Sequence, residues 1–210
     1  MIKTIIFDNH GVITSSTAEG ADKKFADFLG VDLDRFNKIW GSLEGIVDEG
    51  KMTSDDFLKN LLHRTNCHKD LSDFKKIYFG SYPPKLDVQG FAKKLGKSFE
   101  IVLLTNYGSS FRYVNDRSWH LGKIFGDKIF VSAELKMRKP HKDIYLYVLD
   151  KIGKKPEETV FIDDNPEFIK TAQELGMHTI LFKSLDQVKK NLEEILALQG
   201  QSLQIQGLSL

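Results

Sequence analysis

Two kinds of hydrophobic spacing run along the chain, and the change from one to the other divides it. Thr4-Ile5-Ile6-Phe7-Asp8 is a short apolar run, rich in β-branched residues, that stops on an acid, and Val160-Phe161-Ile162-Asp163-Asp164-Asn165-Pro166 repeats the pattern and stops on two. Apolar runs without polar alternation read as strands buried on both faces of a parallel sheet. From Ser16 to about Tyr82 the apolar residues recur instead at helical spacing: Phe25, Phe28 and Leu29, then Phe36, Ile39 and Trp40, then Phe57, Leu58, Leu61 and Leu62, then Phe74, Ile77 and Tyr78. Thr53 or Ser54 is placed to cap a helix over Asp55–His63, and Ser72 lies at or near the start of the next. Pro83-Pro84 cannot continue a helix and closes the block.

Beyond Asp87 helices and strands alternate: helix Val88–Leu95, strand Glu100–Thr105, helix about Ser109–Asn115, strand Lys128–Ser132 and helix Asp143–Ile152. Strand Thr159–Asp163, helix Glu167–Leu175, strand His178–Phe182 and helix Leu185–Leu198 follow. This alternation predicts an α/β fold, a doubly wound parallel sheet of five main strands. Residues 1–15 and 84–198 form its core domain, residues 16–83 a helical subdomain inserted after the first strand, and residues 199–210 a tail. The tail has no strong period and is expected to fray rather than to dock on a partner as a strand.

Composition narrows the function. A chain of 210 residues suits one α/β core with an accessory subdomain, at roughly 100–200 residues per domain. With 30 Lys and Arg against 29 Asp and Glu, the net charge of +1 gives no reason to expect nucleic acid or a membrane surface as partner. A small molecule is the expected partner, and oligomeric state is left open. The single cysteine, Cys67, can form no internal disulfide, which fits a reducing compartment. No stretch approaches the ~20 apolar residues of a membrane span, and the expectation is a cytoplasmic protein.

Strand C-termini carry the candidate chemistry. In open α/β sheets ligands bind in the crevice outside those ends, where the strand order reverses, so Asp8, Asp163 and Asp164 can face one pocket if their strands are neighbours. Carboxylates crowded in this way resist ionisation unless a cation or a lysine offsets them, and they suit octahedral Mg²⁺.

Four segments stand in order at strand ends or in the connections after them: Asp8 to Val12, Thr105-Asn106, Lys139-Pro140 and Asp163-Asp164. Together they resemble the haloacid dehalogenase superfamily of hydrolases. Met137-Arg138-Lys139-Pro140 and Phe161-Ile162-Asp163-Asp164-Asn165 look like the branch holding bacterial sugar-phosphate phosphatases and the N-terminal phosphatase domain of soluble epoxide hydrolases. The resemblance covers about Met1 to Thr14 and Asp87 to Leu198, and the helical block sits where that superfamily inserts a small cap. It implies a Mg²⁺-dependent phosphatase acting on a small phosphorylated metabolite, with Asp8 as nucleophile. Mg²⁺ would be held by the Asp8 carboxylate, the His10 backbone carbonyl and Asp164, with Asp163 reaching it through water. Thr105, with the backbone amides of Asn106 and of the Asn9–His10 turn, would bind the phosphoryl oxygens, and Lys139 would balance the charge of Asp8.

One position departs from the superfamily's pattern. Its phosphatases usually carry a second Asp two residues after the nucleophile as general acid and base, and here that position is His10. An imidazole, with an ordinary pKa near 6.5, could take over the task, or it could fill space or hydrogen-bond a neighbour beside a backbone ligand that any residue supplies. Two other activities stay open: a metal-independent haloacid dehalogenase, against which the Asp163-Asp164 pair argues, and a weakened enzyme that now binds a phospholigand. Glu19, Phe25, Trp40 and Glu44 are candidates for the cap face that meets substrate, although aromatics at helical spacing are more often subdomain core. His63, His68 and His141 are assigned surface or capping roles.

Overall fold

The computed structural model describes residues 1–16 and 20–203. Five strands form one parallel sheet in the order β3-β2-β1-β4-β5: β1 (Thr4–Phe7), β2 (Glu100–Thr105), β3 (Ile129–Val131), β4 (Thr159–Asp163) and β5 (His178–Leu181). The central strands β1, β2 and β4 carry uninterrupted apolar runs because both their faces are covered, whereas the edge strand β5 is only partly buried. Ile5, Phe7, Ile101, Leu103, Val160 and Ile162 point to one face, and Ile6, Val102, Leu104 and Phe161 to the other. Helices α9 (Lys142–Ile152) and α10 (Pro166–Glu174) cover the second face through Ile144, Tyr145, Val148, Ile169 and Ala172. On the first face lie α5 (Leu86–Leu95) and α11 (Leu185–Leu198), through Val88, Phe91, Leu95, Val188 and Leu192. This is the doubly wound architecture that the spacing predicts.

Between β1 and Pro83 stand α1 (Ala21–Leu29), α2 (Leu33–Asp48), α3 (Ser54–Thr65) and α4 (Leu71–Gly80). They share an aromatic interior in which Phe25, Phe36, Phe57 and Phe74 are fully buried, and Trp40 stacks on Phe25 with centroids 5.8 Å apart. Thr53 caps α3 by accepting from the Asp56 N–H, and Ser72 lies in the first turn of α4, both as expected; the cap of α4 is Asp70, which accepts from the Ser72 N–H. The first turn of α3 docks on the loop after β2: the Ser54 N–H donates to Ser109 Oγ at 3.0 Å and the Ser110 N–H to Ser54 Oγ at 3.0 Å. Gly108 permits that approach, since a Cβ there would lie 2.7 Å from Ser54 Oγ and 2.8 Å from Val47.

Two expectations change. The helix expected over Ser109–Asn115 is α6 (Phe111–Val114) running into a π-helical turn, Asn115–Trp119, which turns Trp119 inward so that its indole N–H donates to the Tyr82 carbonyl at 2.8 Å. The short helices α7 (Gly122–Phe125) and α8 (Ser132–Leu135) flank β3. The tail does not fray at its start: Gln201 accepts from the Ile2 N–H at 2.6 Å and donates to the Ile2 carbonyl at 3.0 Å, like one more rung of backbone pairing beside β1. The rest of the tail expectation falls on residues 204–210, which lie outside the described residues.

Candidate active site

The order of the strands sets β1 beside β4 where the winding reverses. Phe7 pairs with Ile162, so the residues that follow, Asp8 and Asp163, leave the sheet side by side. The Asp8 N–H still donates to the Ile162 carbonyl at 2.9 Å, which fixes where its side chain begins. Asp164 comes one residue later, and ligand oxygens of Asp8, Asp163 and Asp164 all fall within 4.8 Å of one another.

Lys139 reaches into this cluster. Its side chain is wholly buried, and Nζ donates to Asp8 Oδ1 and to Asp163 Oδ2, each at 2.6 Å. Asp163 Oδ1 accepts from the Asn165 N–H at 2.9 Å, so both its oxygens are engaged by the protein. Asn106 anchors the backbone of Lys139: its Oδ1 accepts from the Lys139 N–H and its Nδ2 donates to the Lys139 carbonyl, both at 2.9 Å. The side chain of Asn106, a residue expected to contribute only its backbone amide, is therefore a positioning device for the lysine.

Burial pushes the Asp8 and Asp163 carboxyls above the ordinary range while Lys139 pulls both back. Burial, with Asp8 nearby, lifts Asp164 to about 6. For Lys139 burial acts downward, but the charges of Asp163 and Asp8 outweigh it and its pKa is raised. Lys139 lies against Asp8 and Asp163, and Lys85 also draws Asp164 down, yet burial keeps all three carboxyls above the ordinary range, so a hard cation beside them would favour their ionised forms. Gly11 shapes the space for Asp164. It adopts φ +88°, and a Cβ there would lie 2.0 Å from Asp164 Oδ2. These oxygen ligands fit a hard divalent cation.

Other expected residues are placed less directly. Thr105 is fully buried at the end of β2, and its hydroxyl donates to the Asn106 carbonyl at 3.3 Å. The Asn9 carbonyl gathers the N–H groups of Val12, Ile13 and Thr14, which makes the turn after Asp8. The Asn9 side chain is buried and its amide has no hydrogen-bond partner. His10 sits among aromatic rings, with centroids 4.2 Å from Tyr82, 5.2 Å from Tyr107 and 5.4 Å from Trp119, and its Nδ1 lies 2.8 Å from Thr14 Oγ1. Burial drives the His10 pKa down to about 3, against a smaller upward pull from the Ser15 backbone. Burial of the ring thus favours its neutral form, and Nε2 is buried without a hydrogen-bond partner.

A cavity of about 550 Å³ opens over the cluster, lined at the sheet end by Asp8, His10 and Asp164 and on the helical side by Trp40, Glu44 and Asp48 of α2. Trp40 and Glu44 therefore face it as expected, whereas Phe25 is buried inside the helical block and Glu19 lies outside the described residues. Asp48 and Arg138 are the residues that sequence reasoning missed. Trp40, Glu44 and Asp48 stand at i, i+4 and i+8, one stripe of the helix, and that spacing is a signal that could have found Asp48. Arg138 Nε lies 3.9 Å from Asp48 Oδ2, and Gly45 makes room for the guanidinium, since a Cβ there would be 2.8 Å from it. His63, His68 and His141 are exposed, and His141 precedes α9 without a side-chain capping bond.

A family model for haloacid dehalogenase-like hydrolases matches residues 2–176. D-ribitol-5-phosphate phosphatase from Bacteroides thetaiotaomicron is 28% identical over 85% of this chain and 91% of its own. Drimenol cyclase drtB from Aspergillus calidoustus is 30% identical over 93% of this chain, which spans only 37% of that longer protein. Among solved structures, a HAD family enzyme from Bacteroides thetaiotaomicron, in complex with magnesium and inorganic phosphate, superposes with a TM-score of 0.75. It is 22% identical, and the match covers 88% of this chain and 96% of that one.

Proposed function

The chain belongs to the haloacid dehalogenase-like hydrolase family, and from that membership and the geometry of the site we propose a Mg²⁺-dependent phosphatase that acts on a small phosphorylated metabolite. A sugar or polyol phosphate is the class favoured, because the relative matched over nearly its whole length is named a ribitol-phosphate phosphatase. The observation that carries the reading is the meeting of Asp8, Asp164 and Lys139 at the point where the strand order reverses.

Asp8 is the nucleophile. One of its oxygens attacks phosphorus, the ester P–O bond breaks, and the departing oxygen keeps the electron pair and takes a proton. Water then cleaves the aspartyl-phosphate, returning the carboxylate and releasing phosphate. Asp8, the His10 backbone carbonyl and Asp164 would hold Mg²⁺, with Asp163 reaching it through water. Bound there, the ion supplies positive charge that offsets both nucleophile and phosphoryl oxygens. Lys139 keeps Asp8 ionised and oriented, and Asp163 holds Lys139. Thr105 and the backbone amides of Asn9, His10 and Asn106 orient the phosphoryl group. Residues 16–83 act as the cap that encloses the leaving group and excludes water. No described helix is long and apolar enough to cross a membrane. The free thiol of Cys67 supports a reducing compartment, and the reading places the reaction in the cytoplasm.

Turnover of an aryl phosphate with Mg²⁺, and again with the metal chelated, tests the proposal. Hydrolysis that requires the metal is expected. Metal-independent halide release from a 2-haloacid, or phosphate binding without turnover, would overturn it.

A further inference from the structure

The His10 ring lines the cavity but packs on Tyr82, Tyr107 and Trp119 with Nδ1 against Thr14 Oγ1, so carboxylic acids facing the same cavity are rival donors of the leaving group's proton. An in-line displacement sends the leaving oxygen away from the attacking one, so from Asp8 it departs toward the wall that the helices contribute. Glu44 and Asp48 are the carboxylic acids that α2 brings to that wall. Glu44 lies toward solvent and accepts from the Trp40 indole N–H at 3.2 Å. Asp48 is the buried one, 8% exposed.

We propose that Asp48, carried by the last turn of α2 into the cavity that also holds Asp8, is the acid that protonates the ester leaving oxygen. The proposal rests on the phosphatase reading above. As the P–O bond breaks, the Asp48 carboxyl transfers its proton to the departing oxygen, releasing an alcohol. In the second half, Asp48 as carboxylate takes a proton from the water that attacks the aspartyl-phosphate and is restored. Each half-reaction returns what the other takes, so no further reactant is needed.

The surroundings of Asp48 suit both directions. Burial favours the protonated form, as do Glu44 one turn earlier and Glu49 next to it, while Arg138 and Lys139 favour the carboxylate, and the balance lies at about 7. Tyr78 of α4 also feels its charge. The contact with Arg138, at 3.9 Å, is too long for a hydrogen bond, so the guanidinium steadies the carboxylate without capturing it. Docking keeps the group in place. Lys136 Nζ donates to the Gly50 carbonyl at 2.9 Å, and Gly50 itself adopts φ +62° with the Ala133 carbonyl 2.4 Å from where a Cβ would lie. The end of α2 is thereby seated on the loop that leads to Lys139.

Asp48→Asn, assayed with Mg²⁺ on an alkyl and an aryl phosphate, tests this. On the alkyl ester kcat/KM is expected to fall on the order of 10²–10⁴-fold, the usual worth of a general acid. On the aryl ester, whose leaving group needs no proton, a burst of about one aryl alcohol per enzyme should precede slow turnover, because only the second half still needs the carboxylate. The fall of wild-type kcat/KM on the alkyl ester as pH rises through about 7 should disappear in the variant. His10→Asp added to Asp48→Asn should recover alkyl turnover. Equal slowing of both esters with no burst, or no slowing of either, overturns the role of Asp48. If the wild type hydrolyses neither ester, the phosphatase reading itself fails.

Discussion

Lys139 Nζ and Asp8 Oδ1 lie 2.6 Å apart although 131 residues separate them in the chain, and both side chains are buried. A buried ammonium is costly unless it is paired, and here two carboxylates share it. The contact therefore joins the first strand to the loop before α9 and also sets the charge on the candidate nucleophile.

Lys139→Met is expected to abolish turnover and to destabilise the fold by about 3–5 kcal/mol, the range for removing one partner of a buried pair. Urea unfolding alongside the phosphatase assay checks both. Wild-type stability in the variant would mean that the two carboxylates do not depend on this lysine.

Asp164→Asn should raise the Mg²⁺ concentration needed for half-maximal activity more than Asp163→Asn does, since both Asp163 oxygens are already engaged by Lys139 and Asn165. Asp163→Asn should instead lower stability, because Lys139 loses a charged partner. Metal titrations and melting curves of the two variants separate the roles. The reverse ranking in the titration would move the metal from Asp164 to Asp163.

Gly11→Ala carries a double penalty: a side chain at φ +88° and a Cβ overlapping Asp164. Weaker Mg²⁺ activation and a loss of ~1–3 kcal/mol are expected. Unchanged metal activation would show that the turn does not shape the Asp164 position.

Asp48 gives a pH signature in stability. Its pKa is raised to about 7 in the fold, above the ~3.9 of an unfolded aspartate. The folded chain therefore holds a proton that the unfolded chain has released, and the stability this confers is full below about pH 4 and lost as pH rises through about 7. Asp48→Asn, which cannot titrate, should gain on the wild type as the pH moves from acidic to neutral, by roughly 1–4 kcal/mol. Denaturation at pH 5 and pH 8 measures the difference. A constant difference between the two proteins would contradict the raised pKa.

The strands and the residues at their ends were legible because a strand covered on both faces has few ways to be written: Ile5, Ile6 and Phe7 leave no polar position, so the acid after them marks the boundary. Asn106 was only half legible. Its place after Thr105 suggested a backbone donor, but the side-chain clamp on Lys139 depends on a loop 33 residues away. Asp48 continues the stripe of Trp40 and Glu44, but a stripe does not tell how far along α2 the cavity reaches. That reach depends on Gly45 and Gly108, whose missing side chains let the helices approach Arg138 and the loop after β2. His10 showed itself as a departure from the usual acid, but the enclosure of Tyr82, Tyr107 and Trp119 that keeps it neutral is assembled from three distant segments.

The central claim is that phosphate passes through Asp8, and trapping it there is the direct measurement. Asp48→Asn, mixed with an aryl phosphate and Mg²⁺ and quenched in acid during the burst, should yield a single phosphorylated peptide, the one containing Asp8. Aryl alcohol released by this protein with no phosphoryl group on that peptide would contradict the account.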